Sequence, residues 1–240
     1  MNEHVQRVQK ALLLAGYDLG RFGADGDFGP KTADAVMTAI NLSRMIGTHE
    51  AVVKEGAQIE APALNGRDDP IPALWLPMAK MKRIIMHWTA GSYTASEEDK
   101  EHYHFLIDGS AKIIKGVHSV SNNEVIRGSN YAAHTLNCNT GSIGISICCM
   151  AGATESPFNP GNYPMKAEQF GVLIEAVAQL CEVYDIPVTP QTVLSHAEVQ
   201  GNLGIQQRGK WDYTRLPFDP QIKGARAVGD HIRERVSLFV

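Results

Sequence analysis

The segment Ser142 to Cys149, SIGISICC, constrains the fold more than any other part of the chain. It is uncharged and apolar nearly throughout, which suits a strand at the centre of a covered sheet. Arg83 to His87 (RIIMH) is a second short apolar run suited to a buried strand. Tyr103 to Ile107 and Lys112 to Lys115 read as two strands around the turn Asp108-Gly109, and Thr192 to Ser195 as a further one. Phe170, Leu173, Ile174, Val177, Leu180, Cys181 and Tyr184 recur at helical spacing and predict a helix that covers the sheet. A last helix is expected from Pro220 to Val236. The expectation is an α/β domain over residues 76–240, with a mixed central β-sheet flanked by helices.

At 240 residues, 44% hydrophobic and 20% charged, the chain has the make-up of a packed protein of one or two domains rather than a disordered or collagen-like one. Its formal charge of -4 offers no overall basic field for phosphate neutralisation, so nucleic acid is not an expected partner. There is no apolar run of about 18 residues, and MNEHVQRVQK lacks the apolar region of a signal peptide. No stable membrane insertion is expected, and synthesis into the cytoplasm is. The cysteines, Cys138, Cys148, Cys149 and Cys181, form no CxxC pair, and adjacent residues on a strand point to opposite faces. All are read as reduced and structural rather than as a zinc-thiolate site.

Ahead of this domain, residues 1–47 read as a small helical unit. Val5, Val8, Leu12 and Leu13 fall at helical spacing, Gly16 stops the helix, and the glycine-rich DLGRFGADGDFG leads to a second helix begun by Pro30. That helix is expected to present Ala33, Val36, Met37 and Ile40 on one face. Residues 48–75 are rich in proline and alanine without a sustained period and read as a linker, or an arm laid across the second domain.

The chain holds nine histidines, and two of them close strands: His87 before WTAG, and His196 in VLSHAEV. A side chain at a strand's end enters the crevice where open α/β sheets place ligands. A catalytic zinc takes three protein ligands and keeps one position open, and a carboxylate is an acceptable third. Asp212, in Lys210-Trp211-Asp212, is the candidate; in an extended segment Lys210 shares its face.

These fragments resemble, in order and spacing over residues 83–217, the zinc amidase family that includes phage lysozyme-type amidases, N-acetylmuramoyl-L-alanine amidases and peptidoglycan recognition proteins. The matching pieces are HWTA at His87, HYHFLID with Tyr103 and His104, His134, GSIGIS at Gly141 to Ser146, SHAEV at His196 and KWD at Lys210 to Asp212. Val8, Gln9, Leu12, Gly16 and Tyr17, followed by DGDFGPKT, likewise resemble the peptidoglycan-binding domain found beside many wall hydrolases.

The resemblance implies zinc held by His87, His196 and Asp212, with Tyr103 and Lys210 as catalytic donors beside it. Some members carry a glutamate where this chain has Ser146, which implies the arrangement in which the tyrosine serves instead. His134, Trp88 and Thr89 are the expected substrate contacts. His104, read as opposite to Tyr103 on an alternating strand, is given a structural role. The implied activity is cleavage of the amide between N-acetylmuramic acid and L-alanine in peptidoglycan. The implied setting is a phage endolysin made in the host cytoplasm and reaching the wall after membrane permeabilisation; the sequence leaves the oligomeric state open, with a monomer favoured. The alternatives are a non-catalytic peptidoglycan receptor and a cytoplasmic wall-fragment recycling amidase. The basic residues of the last helix, Lys223, Arg226, Arg233 and Arg235, are read as a solvated face.

Overall fold

A computed structural model describes residues 3–14, 19–20, 23–36 and 69–240. The chain divides into two compact units, Met1–Gly66 and Arg67–Val240. In the first, helix α1 (Glu3–Leu14) and helix α2 (residues 30–36) share a small core of Leu12, Leu19 and Ala35, with Val8 and Val36 against it. Ala35 rather than Ala33 is the buried alanine of α2. The Gln9 side chain explains why the motif residues occur together. Its amide donates to Asp25 Oδ1, the Asp27 carbonyl and Thr32 Oγ1 at 2.8–3.0 Å, and its oxygen accepts the Gly26 N–H at 2.7 Å. One buried amide thereby fixes the DGDFG loop between the two helices. Met37 and Ile40, Gly16 and Tyr17, and the main part of the 48–75 segment lie outside the described residues.

The second unit is built on five strands: β1 (Arg83–Trp88), β2 (Phe105–Ile107), β3 (Ile113–Lys115), β4 (Ser142–Ile147) and β5 (Val193–Ser195), in the order β3-β2-β4-β1-β5. All neighbours run parallel except the edge pair β2 and β3. Helices α3 (Glu97–His102), α4 (Ala167–Tyr184), α5 (Val199–Leu203) and α6 (Ala225–Val236) complete it. Among the described residues, no helix is long and apolar enough to cross a membrane.

The central strand β4 is buried along its whole length, as its composition implies, but its two faces differ. Ile143, Ile145 and Ile147 join Ile84, Met86, Trp88, Phe105 and Val193 in the main core, against Leu173, Val177 and Leu180 of α4 and Val228 and Ile232 of α6. Ser142, Gly144 and Ser146 point the other way, as successive side chains of a strand must. The small residues of β4 therefore leave room on one face of the sheet, and that room holds the histidines. Cys148 and Cys149 separate as expected, Cys148 packing with Leu106 and Cys149 in the main core; all four cysteines are free and buried.

Residues 69–75, the end of the proline-rich stretch, lie on this unit. Gln179 of α4 clamps Ile71 by accepting its N–H at 2.9 Å and donating to its carbonyl at 2.8 Å. Helix α6 begins at Ala225 rather than near Pro220, because Gly224 at φ 94 turns the chain into it. Its Arg233 is not on a solvated face. It is 7% exposed and pairs with Glu198 at 2.9 Å and Asp230 at 2.7 Å.

Candidate metal centre

His87 is fully buried near the C-terminal end of β1, in register with Ser146 of β4, so the two side chains share the sheet face left open by the small residues. His196 follows β5 directly and opens a tight turn, His196–Glu198. Ser195 and Glu198 brace that turn: Glu198 Oε2 accepts the Ser195 N–H at 2.9 Å, and Arg233 holds Glu198 from the other side. Gly229 of α6 lets this pair fit, since a Cβ there would lie 2.1 Å from Glu198 Oε1. Asp212 reaches the same point from a turn closed by the Thr214 N–H on the Trp211 carbonyl at 3.0 Å. The segment is thus not extended, and Lys210 and Asp212 part company: Asp212 is 8% exposed, whereas Lys210 is on the surface. Tyr213, fully buried and at φ 62, anchors the turn by donating from its hydroxyl to the His87 carbonyl at 3.1 Å.

His87 Nδ1 and His196 Nδ1 are 3.0 Å apart, and Asp212 Oδ2 is 3.6 Å from each. The far side of each ring fixes which nitrogen carries the proton. His134 Nε2 lies 3.4 Å from the Ser142 carbonyl, which can only accept, so His134 Nδ1 is left to accept from His87 Nε2 at 3.1 Å. His196 Nε2 lies 3.0 Å from Gln207 Oε1, and the Gln207 amide is oriented by donating to the Leu136 carbonyl at 3.0 Å. Both Nδ1 atoms therefore carry lone pairs, and they face a carboxylate oxygen. Among the described residues, His87, His196 and Asp212 form the one cluster of side chains able to hold a metal. Three electron-pair donors this close repel one another unless a cation sits between them, and zinc with bonds near 2.0–2.1 Å spans donor separations of about 3.3 Å. The donor set, the spacing and the supported rings fit a three-ligand zinc site with an open fourth position.

Burial holds His87 down to about 4 against the opposing pull of Asp212, so it is neutral at pH 7. Burial also holds His134 well below its usual value. For Asp212 burial works against ionisation, but its interactions with His196 and His87 prevail and keep the carboxyl well below the usual range. Burial, with the Asp212 charge adding to it, pushes the Tyr103 hydroxyl above its ordinary value.

Tyr103 is half-buried, with its ring centroid 5.1 Å from that of His87, so the structure does bring it to the metal centre. It caps α3 rather than standing in β2, which begins only at Phe105. For that reason strand alternation does not separate Tyr103 from His104. His104 also lies over this face, its ring 5.8 Å from His134 and its Nδ1 accepting the Gly144 N–H at 2.9 Å. His134 stands behind His87 as a support. Trp88 is no substrate contact. Next to His87 in a strand it must face the other way, and it is buried in the main core, edge-on to Trp211 at 4.8 Å and 5.7 Å from Tyr213. Thr89 is occupied too, its Oγ1 accepting the N–H groups of Gly91 at 3.1 Å and Cys149 at 3.3 Å. Beside the triad opens a cleft of about 420 Å³ that includes His134, His196 and Lys210. Its other cation, Arg208, and the positioning residues Tyr213, Gln207 and Glu198 were not singled out by sequence; the S-x-x-E pattern Ser195–Glu198 was the one local signal.

The family model for N-acetylmuramoyl-L-alanine amidase matches residues 77–214, more than half of the chain, and spans all three donors. The chain belongs to the N-acetylmuramoyl-L-alanine amidase family. The amidase is similar to the endolysin N-acetylmuramoyl-L-alanine amidase LysCS from Clostridium intestinale URNW, at 16% identity over 66% of this chain and 85% of that one, with a TM-score of 0.39. It is similar to the Staphylococcus aureus hydrolase AmiA at 13% identity, over 66% of this chain and 74% of that one, with a TM-score of 0.42. A third is Escherichia coli AmiD bound to anhydro-N-acetylmuramic acid-L-Ala-D-gamma-Glu-L-Lys, at 21% identity over 61% of this chain and 56% of that one, with a TM-score of 0.35. No curated protein matches the chain.

Proposed function

We propose that this amidase hydrolyses the bond between the lactyl carbonyl of N-acetylmuramic acid and L-alanine in peptidoglycan, using a zinc ion held by His87, His196 and Asp212. The observation that carries the reading is the buried triangle of donor atoms at 3.0, 3.6 and 3.6 Å. Bound there, zinc would supply a water acidified to a pKa of about 7 and a Lewis acid for the carbonyl.

The side chains divide the remaining work. Hydrogen bonds from His87 to His134 and from His196 to Gln207 keep both rings in the donating tautomer. Tyr103, with its hydroxyl proton held more tightly than usual, stays neutral at pH 7 and acts as a hydrogen-bond donor rather than a base. Placed against His87, it is suited to hold the substrate carbonyl and the oxyanion that forms from it. Lys210 on the cleft rim adds positive charge to the same oxygen when substrate covers the site. The Ser146 hydroxyl, beside His87 in the register, cannot do the work of a carboxylate base, which leaves Tyr103 and Lys210 as the protein's polar groups at the reacting carbonyl.

We further propose that residues 1–47 bind the wall and that the segment after them links them to a catalytic unit that takes in residues 69–75 as well as 76–240, as in an endolysin released to the wall when the host membrane is permeabilised. The compact first unit, with Gln9 tying the DGDFG loop, supports this assignment. Incubation of the purified protein with peptidoglycan tests the chemistry. New L-alanine amino termini and free lactyl carboxyls are the expected ends; new reducing sugars would refute the amidase reading.

A further inference from the structure

The cleft beside the metal centre is lined by a cation, Arg208, that the hydrolytic step does not use. It is lined by the loop bearing Tyr131, Thr135, Leu136 and Asn137 and by the loop bearing Arg208 and Lys210. Among the described residues no acidic one lines it, in a chain whose net charge is -4. Among the described residues no carboxylate pairs with Arg208, which is exposed. An unpaired guanidinium on the wall of an acid-free cleft is a site for a carboxylate, which it can bind through two parallel hydrogen bonds.

Resting on the amidase reading, we propose that Arg208 is a specificity residue that binds the free α-carboxylate of the stem peptide's second residue. Gln207 touches His196 at 3.0 Å, so Arg208 is one residue removed from a group in contact with a metal donor. With the scissile carbonyl at the metal centre, the leaving peptide begins with L-alanine and its second residue lies about 7 Å along an extended chain. A glutamyl residue linked through its side chain keeps its α-carboxyl free, and amidation of that carboxyl removes the charge. Lys210 lines the same cleft and is assigned to the reacting carbonyl, which leaves Arg208 as the cation free to meet the peptide.

The test uses two synthetic substrates, N-acetylmuramoyl-L-alanyl-D-γ-glutamyl-L-lysine with its glutamyl α-carboxyl free and the same compound with that group amidated. The wild type is expected to favour the acid by about 10–100-fold in kcat/KM, mainly through KM, as for a charge-assisted hydrogen-bond pair. Arg208→Ala should bring the acid down to the amide's value and leave the amide unchanged, while Arg208→Lys restores part of the preference. Equal rates on both substrates for the wild type, or a preference that survives Arg208→Ala, overturn the proposal. Calorimetric binding of the two tripeptides L-Ala-D-γ-Glu-L-Lys, free and amidated, separates this claim from the amidase reading, because neither contains the scissile bond. Discrimination that depends on Arg208 without hydrolysis of either substrate would uphold Arg208 and remove the amidase reading. Hydrolysis of both substrates with no role for Arg208 would do the reverse. Absence of both activity and discrimination overturns both.

Discussion

Gly144→Ala should damage this protein although the same change in most strands helps. Replacing a strand glycine normally gains about 0.5–1 kcal/mol by restricting the unfolded backbone. At Gly144 an added Cβ would lie 2.5 Å from Cγ and 2.6 Å from Cδ2 of His134, against an ordinary carbon contact of about 3.5–4.0 Å. The ring must move by about 1 Å, and it is pinned by His87 Nε2 at 3.1 Å, Thr135 Oγ1 at 2.8 Å and the Ser142 carbonyl at 3.4 Å. Overpacking of this kind costs about 1–3 kcal/mol, and losing the bond behind His87 lowers metal affinity by about 10–100-fold. Urea unfolding followed by circular dichroism and competition of the protein with a chromogenic zinc chelator measure the two effects. In the double variant with His134→Ala the clash is gone, so the second substitution should recover about 0.5–1 kcal/mol of the stability lost in His134→Ala alone. A stabilised Gly144→Ala protein with unchanged zinc affinity would refute the packing of His134 on the sheet and its role behind His87.

Three further outcomes are expected. Arg233→Ala leaves Glu198 buried without its partner and should cost about 3–5 kcal/mol in urea unfolding, while a cost near that of a surface substitution would mean that α6 does not brace the His196 turn. Burial depresses His104 to about 4 from an ordinary 6.5, so the unfolded chain takes up its proton first. The neutral ring's contribution is complete above pH 6.5 and is lost as pH falls through 4, so the stability difference between wild type and His104→Gln should shrink by about 3 kcal/mol between pH 7 and pH 4. A difference that stays constant over that range would contradict a buried neutral His104. Tyr103→Phe should lower kcat by about 10²–10³-fold with zinc content unchanged, and a loss confined to KM would instead assign the hydroxyl to ground-state binding.

The sequence made His87 and His196 legible because each closes a short apolar run, and such runs fold into strands wherever a core is available. Asp212 was legible only through its neighbours in KWD, since its approach depends on a turn and on Tyr213, whose hydrogen bond to the His87 carbonyl spans 126 residues. No local pattern reports such a contact. Trp88 shows the opposite case: the two-residue period that places His87 over the open face sends Trp88 into the core, and that consequence was available from the sequence. Tyr103 lies beside His87 but outside the strand expected for it, because the strand starts two residues later and its alternation does not reach back to Tyr103. Arg233 misled because a charge on an amphipathic helix is normally solvated, and its buried partner Glu198 lies 35 residues away on another element.

Metal analysis of the protein as purified tests the centre most directly. About one zinc per chain is expected in the wild type and a large loss in Asp212→Ala, with the fold retained by circular dichroism. Full zinc occupancy in Asp212→Ala, or a wild-type protein that takes up no zinc when it is supplied, would contradict that centre.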